Sequence, residues 1–298
     1  MLIRTSGAPQ PNLYLLTLGN TCRYAVGLER LTLTDPGVGA HAAPLEARLQ
    51  SLKIPLSSIE RVVLTNLRGD RIGALPTLRA RAPHICLTLT ATQALSIRST
   101  EYQHRLYTEC LALEKLTNSS TPLPPFNEFV HAITPDEIIP DSEVIECSGG
   151  LALRVSALPG HTAESVGFFV EPYGFLIADE VLGYYRGREL AAPGCDASFE
   201  ASLSSLKKVD QLPLHGLGLS NMGVLTGELV RKHLHAVTLN TQDLKREVSN
   251  ARSEGVPPEV ITRSIRDSFY TSDSRDPFVL DRLERTFRSI VTQCGIVS

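Results

Sequence analysis

The chain is written in two registers, and the change between them most limits the folds open to it. Up to about residue 228, short β-prone runs end repeatedly in turns or polar loops; beyond it, glycine punctuation thins and helical spacing takes over. Leu13 to Leu18, Tyr24 to Leu28 and Leu31 to Leu33 read as antiparallel strands, closed by the turn Thr34-Asp35-Pro36-Gly37. Leu45, Leu49 and Leu52 recur at helical spacing until Pro55 stops the pattern. Val62-Val63-Leu64 reads as a buried strand, followed by the polar loop Thr65 to Arg71 and a short helix over Ile72 to Leu78. After the run Ile85 to Leu89, one helix is predicted from about Thr92 to Thr117, and Asn118 to Pro125 reads as a loop. Val144 to Cys147 and Leu151 to Leu158 flank Gly149-Gly150 as a hairpin. Val166 to Val170 and Phe175 to Ala178 follow as strands, and Phe199, Leu203, Leu206, Val209 and Leu212 mark one apolar helix face.

The tail predicts helices over Leu229 to Val237, Thr241 to Ser253 and Pro257 to Phe269. A last one follows Asp276-Pro277, with Leu280, Leu283, Phe287, Ile290 and Val291 on one side. The expected organisation is an α/β domain over residues 1–228 and a helical extension over 229–298 that packs on the domain or forms a homodimer interface.

The charge balance removes several partners. A net charge of -3 on 298 residues supplies no global field for a polyphosphate, and no basic run exceeds Lys207-Lys208 or Arg231-Lys232, so nucleic acid is not expected. No apolar stretch approaches the roughly 18 residues of a membrane span, and no leader-like segment opens the chain, so no membrane partner is expected. Cys22, Cys86, Cys110, Cys147, Cys195 and Cys294 form no C-x-x-C pair; they read as free thiols in a cytoplasmic protein. His233 and His235, two apart on a predicted helix, cannot share a face and read as surface residues.

Four polar clusters each close a strand-like run: Asn66 to Arg71, His161, Asp179, and Ser220-Asn221. Around them stand Thr34-Asp35-Pro36-Gly37, Val62-Val63-Leu64-Thr65, Gly69-Asp70 and Ile72-Gly73-Ala74-Leu75. Further on come Leu158-Pro159-Gly160-His161-Thr162, Ser165-Val166-Gly167, Ala178-Asp179 and Gly223-Val224-Leu225-Thr226-Gly227. In order and spacing these segments, over about residues 12 to 230, resemble the metallo-β-lactamase superfamily and its glyoxalase II-like metal-dependent hydrolases. The resemblance implies a four-layer αββα sandwich with a dinuclear metal site along one edge, where zinc or iron activates water against an ester, thioester, amide or phosphodiester.

The family's ligands do not all carry over. The loop it writes as His-x-His-x-Asp-His holds Asn66, Arg68, Asp70 and Arg71 here. His161 and Asp179 match later ligands, and Asn221 stands where a final His belongs. A zinc centre needs about three or four N, O or S ligands, and a guanidinium has no lone pair to give. Arg68 and Arg71 are therefore expected to replace the metal's charge, pairing with Asp70 and Asp179. Simpler roles compete: Asn66 and Asn221 as loop hydrogen-bonders, His161 as a hydrogen-bonded loop histidine, and Asp70 as a cap on a helix starting near Ile72.

The implied function is a degenerate, metal-free pseudoenzyme without cofactor. It would bind a small anionic or polar molecule, or a protein partner, in a cleft lined by Asn66, Arg68, Asp70, Arg71, His161, Asp179 and Asn221. The alternative is a residual hydrolase of esters, thioesters or phosphodiesters. It would hold one weakly bound zinc, manganese or iron on Asp70, His161 and Asp179, or use metal-free chemistry by His161 and Asp179.

Overall fold

Two seven-stranded sheets stack face to face in the computed structural model, which describes residues 1–119, 121–185, 191–221, 223–269, 288–289 and 291–292. The first sheet runs in chain order through Gly7–Gln10, Leu13–Leu18, Thr21–Val26, Leu31–Thr34, Ile59–Val63, Cys86–Thr90 and Glu137–Ile139. It begins antiparallel and becomes parallel from Leu31–Thr34 onward, where helical crossovers replace hairpins. The second sheet is ordered Leu2–Ile3, Gly223–Thr226, Gly216–Leu219, Phe175–Ala178, Val166–Glu171, Leu151–Ala157 and Val144–Cys147. Its one parallel pair joins Phe175–Ala178 to Gly216–Leu219 through the helix Phe199–Asp210.

Strand alternation divides the apolar residues among three cores. Leu13, Leu15, Tyr24 and Val26 point between the sheets, where they meet Leu153, Phe168, Val170 and Ile177. Leu16, Ala25, Leu33 and Val62, from the same sheet's other face, pack on Leu45, Leu49, Leu75, Leu78 and Leu106 of the outer helices. Leu176, Leu217, Leu219 and Leu225 meet Leu206, Val209, Leu234 and Val237 from helices on the far side. Two sheets with both faces buried therefore lie between two helical layers, the αββα sandwich expected from the sequence.

Several elements differ from the sequence reading for local reasons. The helix predicted from Thr92 to Thr117 is two, Ala91–Ile97 and Thr100–Leu116, because the Ser99 hydroxyl caps a new start by accepting from the Tyr102 N–H. The short helix expected over Ile72 to Leu78 is likewise two, Gly69–Ile72 and Leu75–Arg81. The two helices read at Leu229 to Val237 and Thr241 to Ser253 are one, Glu228–Ser253, since the turn between them contains no glycine or proline and buries Thr241. The helix expected after Asp276-Pro277 lies outside the described residues apart from positions 288–289 and 291–292, which are helical. Gly149 and Gly150 form the expected hairpin turn, both at positive φ. Among the described residues no helix is long and apolar enough to cross a membrane.

The two sheets are stitched together at one edge. The Tyr24 hydroxyl lies 2.8 Å from the Leu219 carbonyl and 3.0 Å from that of Gly223, Cys22 N–H donates to Ser220 O at 2.8 Å, and Val166 N–H donates to Thr65 O at 2.8 Å. Gly160, in the turn that carries His161, sits at φ 141°, and a Cβ there would lie 2.6 Å from the Ser202 backbone. Both strain and overpacking oppose a side chain. Gly160→Ala is expected to lower unfolding free energy by about 3 kcal/mol, read from urea midpoints.

Candidate functional site

Strand ends deliver the site to the stitched edge. Asp35 follows Leu31–Thr34, Asn66 to Arg71 follow Ile59–Val63, and His161 follows Leu151–Ala157. Asp179 and Glu180 follow Phe175–Ala178, and Ser220 follows Gly216–Leu219. Because the strands end together, charged side chains distant in sequence converge inside the protein.

Arg71 is at the centre. Its guanidinium is fully buried, with Nη1 2.8 Å from Asp70 Oδ2, Nη2 bonded to both oxygens of Glu180 (Oε2 at 2.5 Å) and Nε 3.7 Å from Asp35 Oδ2. Burial opposes its charge, yet Asp70, Asp35 and Asp179 more than offset that and raise its pKa, so it is a permanent cation. Asp35 accepts from both the N–H and the hydroxyl of Thr65 at 2.7 Å; burial still raises its pKa against the pull of Arg71 and Arg23.

The expected pairing of the arginines with Asp70 and Asp179 holds only for Arg71 and Asp70. Asp179 is instead held by neutral donors: Asn66 Nδ2 at 2.8 Å, the Ser165 hydroxyl at 2.5 Å and the Val181 N–H at 3.0 Å. Arg68 pairs with Asp196 at 2.6 Å. The two arginines part because Arg68 precedes the Gly69–Ile72 turn in extended backbone and keeps 24% of its side chain exposed, whereas Arg71 lies inside that turn and points inward. Asp70 does not cap this helix; it sits in its first turn with its carboxylate on Arg71. Asn221 bridges to Thr21 across the sheets, and its Oδ1 finds no hydrogen bond among the described residues.

His161, only 2% exposed, lies between two carboxylates, with Nε2 3.3 Å from Glu180 Oε2 and Nδ1 3.2 Å from Asp196 Oδ1. Neither Glu180 nor Asp196 was singled out in the sequence. Glu180 adjoins Asp179 and is also bonded by the Ser220 hydroxyl, but Asp196 carries no motif at all. Arg23 was missed as well. It is fully buried, donates to the carbonyls of Cys22 at 2.8 Å and Asp70 at 3.1 Å, and has its pKa lowered to about 10 by burial and then by Arg71. A lone charge inside an apolar strand was its only signal.

A dinuclear metal centre does not fit these residues. Arg71 places a guanidinium between Asp70 and Glu180, Arg68 has no lone pair to donate, and Asn66 and Asn221 stand where the resemblance implies histidines. Among the described residues, one group of potential ligands has its donor atoms within 4.8 Å of one another: His161, Asp179 and Glu180. Asp70, assigned to the single-metal alternative with His161 and Asp179, lies outside that group because its carboxylate turns to Arg71.

No protein-family profile matches the chain, and no curated protein matches it. Solved structures do. A metallo-β-lactamase family protein, TTHA1429 from Thermus thermophilus, is 20% identical with a TM-score of 0.65, covering 98% of this chain and 96% of the other. A Cronobacter sakazakii metallo-β-lactamase with a HARLDQ motif is 15% identical with a TM-score of 0.57, covering 82% and 95%. The archaeal superfamily protein ST1585 from Sulfolobus tokodaii is 17% identical with a TM-score of 0.53, covering 82% and 98%. The chain has the metallo-β-lactamase fold.

Two predictions follow from the buried charges. Arg71→Ala should cost about 3 to 5 kcal/mol, and combining it with Glu180→Gln should cost at least about 1 kcal/mol less than the sum of the single losses, measured by urea unfolding. Additive losses would count against the pairing. The second concerns histidines held neutral. His41 beside Arg23 is lowered to about 3 by burial and then by Arg23. His233 is 4% exposed, not at the surface as its spacing suggested; Nε2 donates to the Leu182 carbonyl at 2.7 Å, and burial lowers it to about 4. Between pH 6.5 and those values the unfolded chain binds more protons, so stability falls as pH drops, by about 1.4 kcal/mol per unit for each histidine. The double variant His41→Gln, His233→Gln should flatten unfolding free energy between pH 7 and 5.

Proposed function

We propose that this protein is a metal-free pseudoenzyme of the metallo-β-lactamase fold, which binds a small anionic or polar molecule in the cleft beside the former catalytic edge. The observation that carries this reading is the Arg71 guanidinium, buried between Asp70 and Glu180 at hydrogen-bond distance. It supplies the positive charge those carboxylates need and occupies the oxygens a cation would use. The HARLDQ motif of the Cronobacter enzyme, set letter for letter beside Asn66 to Arg71, shares arginine third and aspartate fifth. An arginine at the third position therefore stands in another protein of this fold as well.

The cleft has a volume of about 730 Å³, with Arg68, His161 and Asp196 among its lining residues. That volume suits a small molecule. In this reading the helical extension packs on the domain: the Ser289 hydroxyl donates to the Asp196 carbonyl at 2.6 Å, and Leu244, Val248, Ile261 and Val291 cluster with Tyr184, Ala192, Cys195 and Phe199.

A second reading has one specific support. The mutual approach of His161, Asp179 and Glu180 favours a residual hydrolase holding a single zinc, manganese or iron, although Glu180 would first have to release Arg71. Elemental analysis separates the two. After soaking in zinc, manganese and iron and desalting, the full chain should carry below about 0.1 metal per molecule. One tightly held metal, lost in the variant His161→Ala, would establish the hydrolase reading instead.

A further inference from the structure

The proposed ligand-binding reading leaves open which cation receives an anion, and the two arginines first expected to do so are both engaged. Arg71 is buried and surrounded by acids, and Arg68 is bonded to Asp196 and faces Glu109. The cleft holds another arginine beside Arg68. Arg105 lies on the helix Thr100–Leu116, and its guanidinium carbon stands 4.2 Å from the centroid of the Tyr102 ring. Tyr102 is itself locked, its hydroxyl 2.7 Å from Glu164 Oε1 and 3.3 Å from the Leu67 carbonyl.

Resting on that reading, we propose that Arg105, stacked on Tyr102, is the anion receptor of the cleft, and that the ligand is a small organic anion, a carboxylate or phosphate ester with an apolar body. Three features favour this. Arg105 is exposed, lines the cleft and makes no ion pair among the described residues, so its charge is available to a ligand. Its plane is set in advance by a phenol whose own hydroxyl bridges two loops, which reduces the ordering cost of a forked hydrogen bond to an oxyanion. Beside it, Leu67, Leu106, Ala163 and Ala197 give the cleft apolar surface for the rest of the molecule. Of the cleft's three acids, Asp196 is engaged by Arg68 and Glu164 by Tyr102, while Glu109, one turn along the same helix from Arg105, faces Arg68.

The experiment uses the full chain, with phenyl phosphate and benzoate as anionic probes and benzyl alcohol as the neutral control. Affinities are measured by calorimetry, the site is mapped by backbone amide shifts, and metal content is measured on the same samples. At least one anion is expected to bind more tightly than benzyl alcohol and to shift the amides of residues 102–109 and 162–164. Arg105→Ala should weaken it about tenfold, while Arg105→Lys recovers part of the loss. Phenyl phosphate binding alone assigns a phosphate ester, and benzoate alone a carboxylate. Unchanged affinity in Arg105→Ala, equal binding of benzyl alcohol, or no binding of either anion at about 10 mM overturns the proposal. A tight metal found together with Arg105-dependent binding would overturn the metal-free reading and leave this site standing.

Discussion

The buried guanidinium of Arg71 is the interaction on which the site depends. Asp70 comes from the same short helix, Glu180 from the turn that follows Phe175–Ala178 of the second sheet and Asp35 from the end of a strand in the first, so one side chain ties three segments across the sandwich. An unpaired carboxylate in this setting would be costly, and so would an unpaired arginine. Each is tolerated only because the other is present. Around that core, Asp179 is satisfied by neutral donors and Arg68 by Asp196, so that the carboxylates of this edge are met by protein donors or cations.

The fold explains why so many charges can gather there. Strands that run nearly together end at one edge, and their following loops turn inward, while hydrogen bonds from Tyr24, Cys22 and Val166 fasten the two sheets at that edge. Apolar cores between the sheets and on both outer faces pack the layers around it. Such a frame positions whatever side chains the loops carry. This edge holds an internal ion-pair network, with an outer cleft beside it lined by Tyr102, Arg105 and Arg68.

Much of the architecture was legible in residue order. Alternating apolar positions such as Leu13, Leu15 and Leu16, Leu18 announce a strand buried on both faces, and the hairpin at Gly149-Gly150 follows from turn chemistry. Helix ends were less legible, because the Ser99 cap that divides Thr92 to Thr117 looks like any surface serine until its neighbour's N–H is placed. In the site, Asn66, Asp70, Arg71, His161 and Asp179 could be named from motif spacing. Their partners could not. Arg23, Asp35, Glu180 and Asp196 belong to four separate segments, and only the folded chain brings them within reach.

Residue order and its motif resemblance were enough for the class of sandwich, the helical character of Glu228–Ser253 and Pro258–Phe269, and the arginines and asparagines that stand where the resemblance places histidines. Those are properties of residue type and local spacing, which the chain states directly. Tertiary structure alone decided which carboxylate each arginine meets, that His233 is buried, and that Arg105 rather than Arg71 is the cation open to the cleft. Such pairings depend on side-chain direction at strand ends far apart in sequence: Arg68, in extended backbone before the Gly69–Ile72 turn, directs its charge outward, and Arg71, inside that turn, directs its charge into the core.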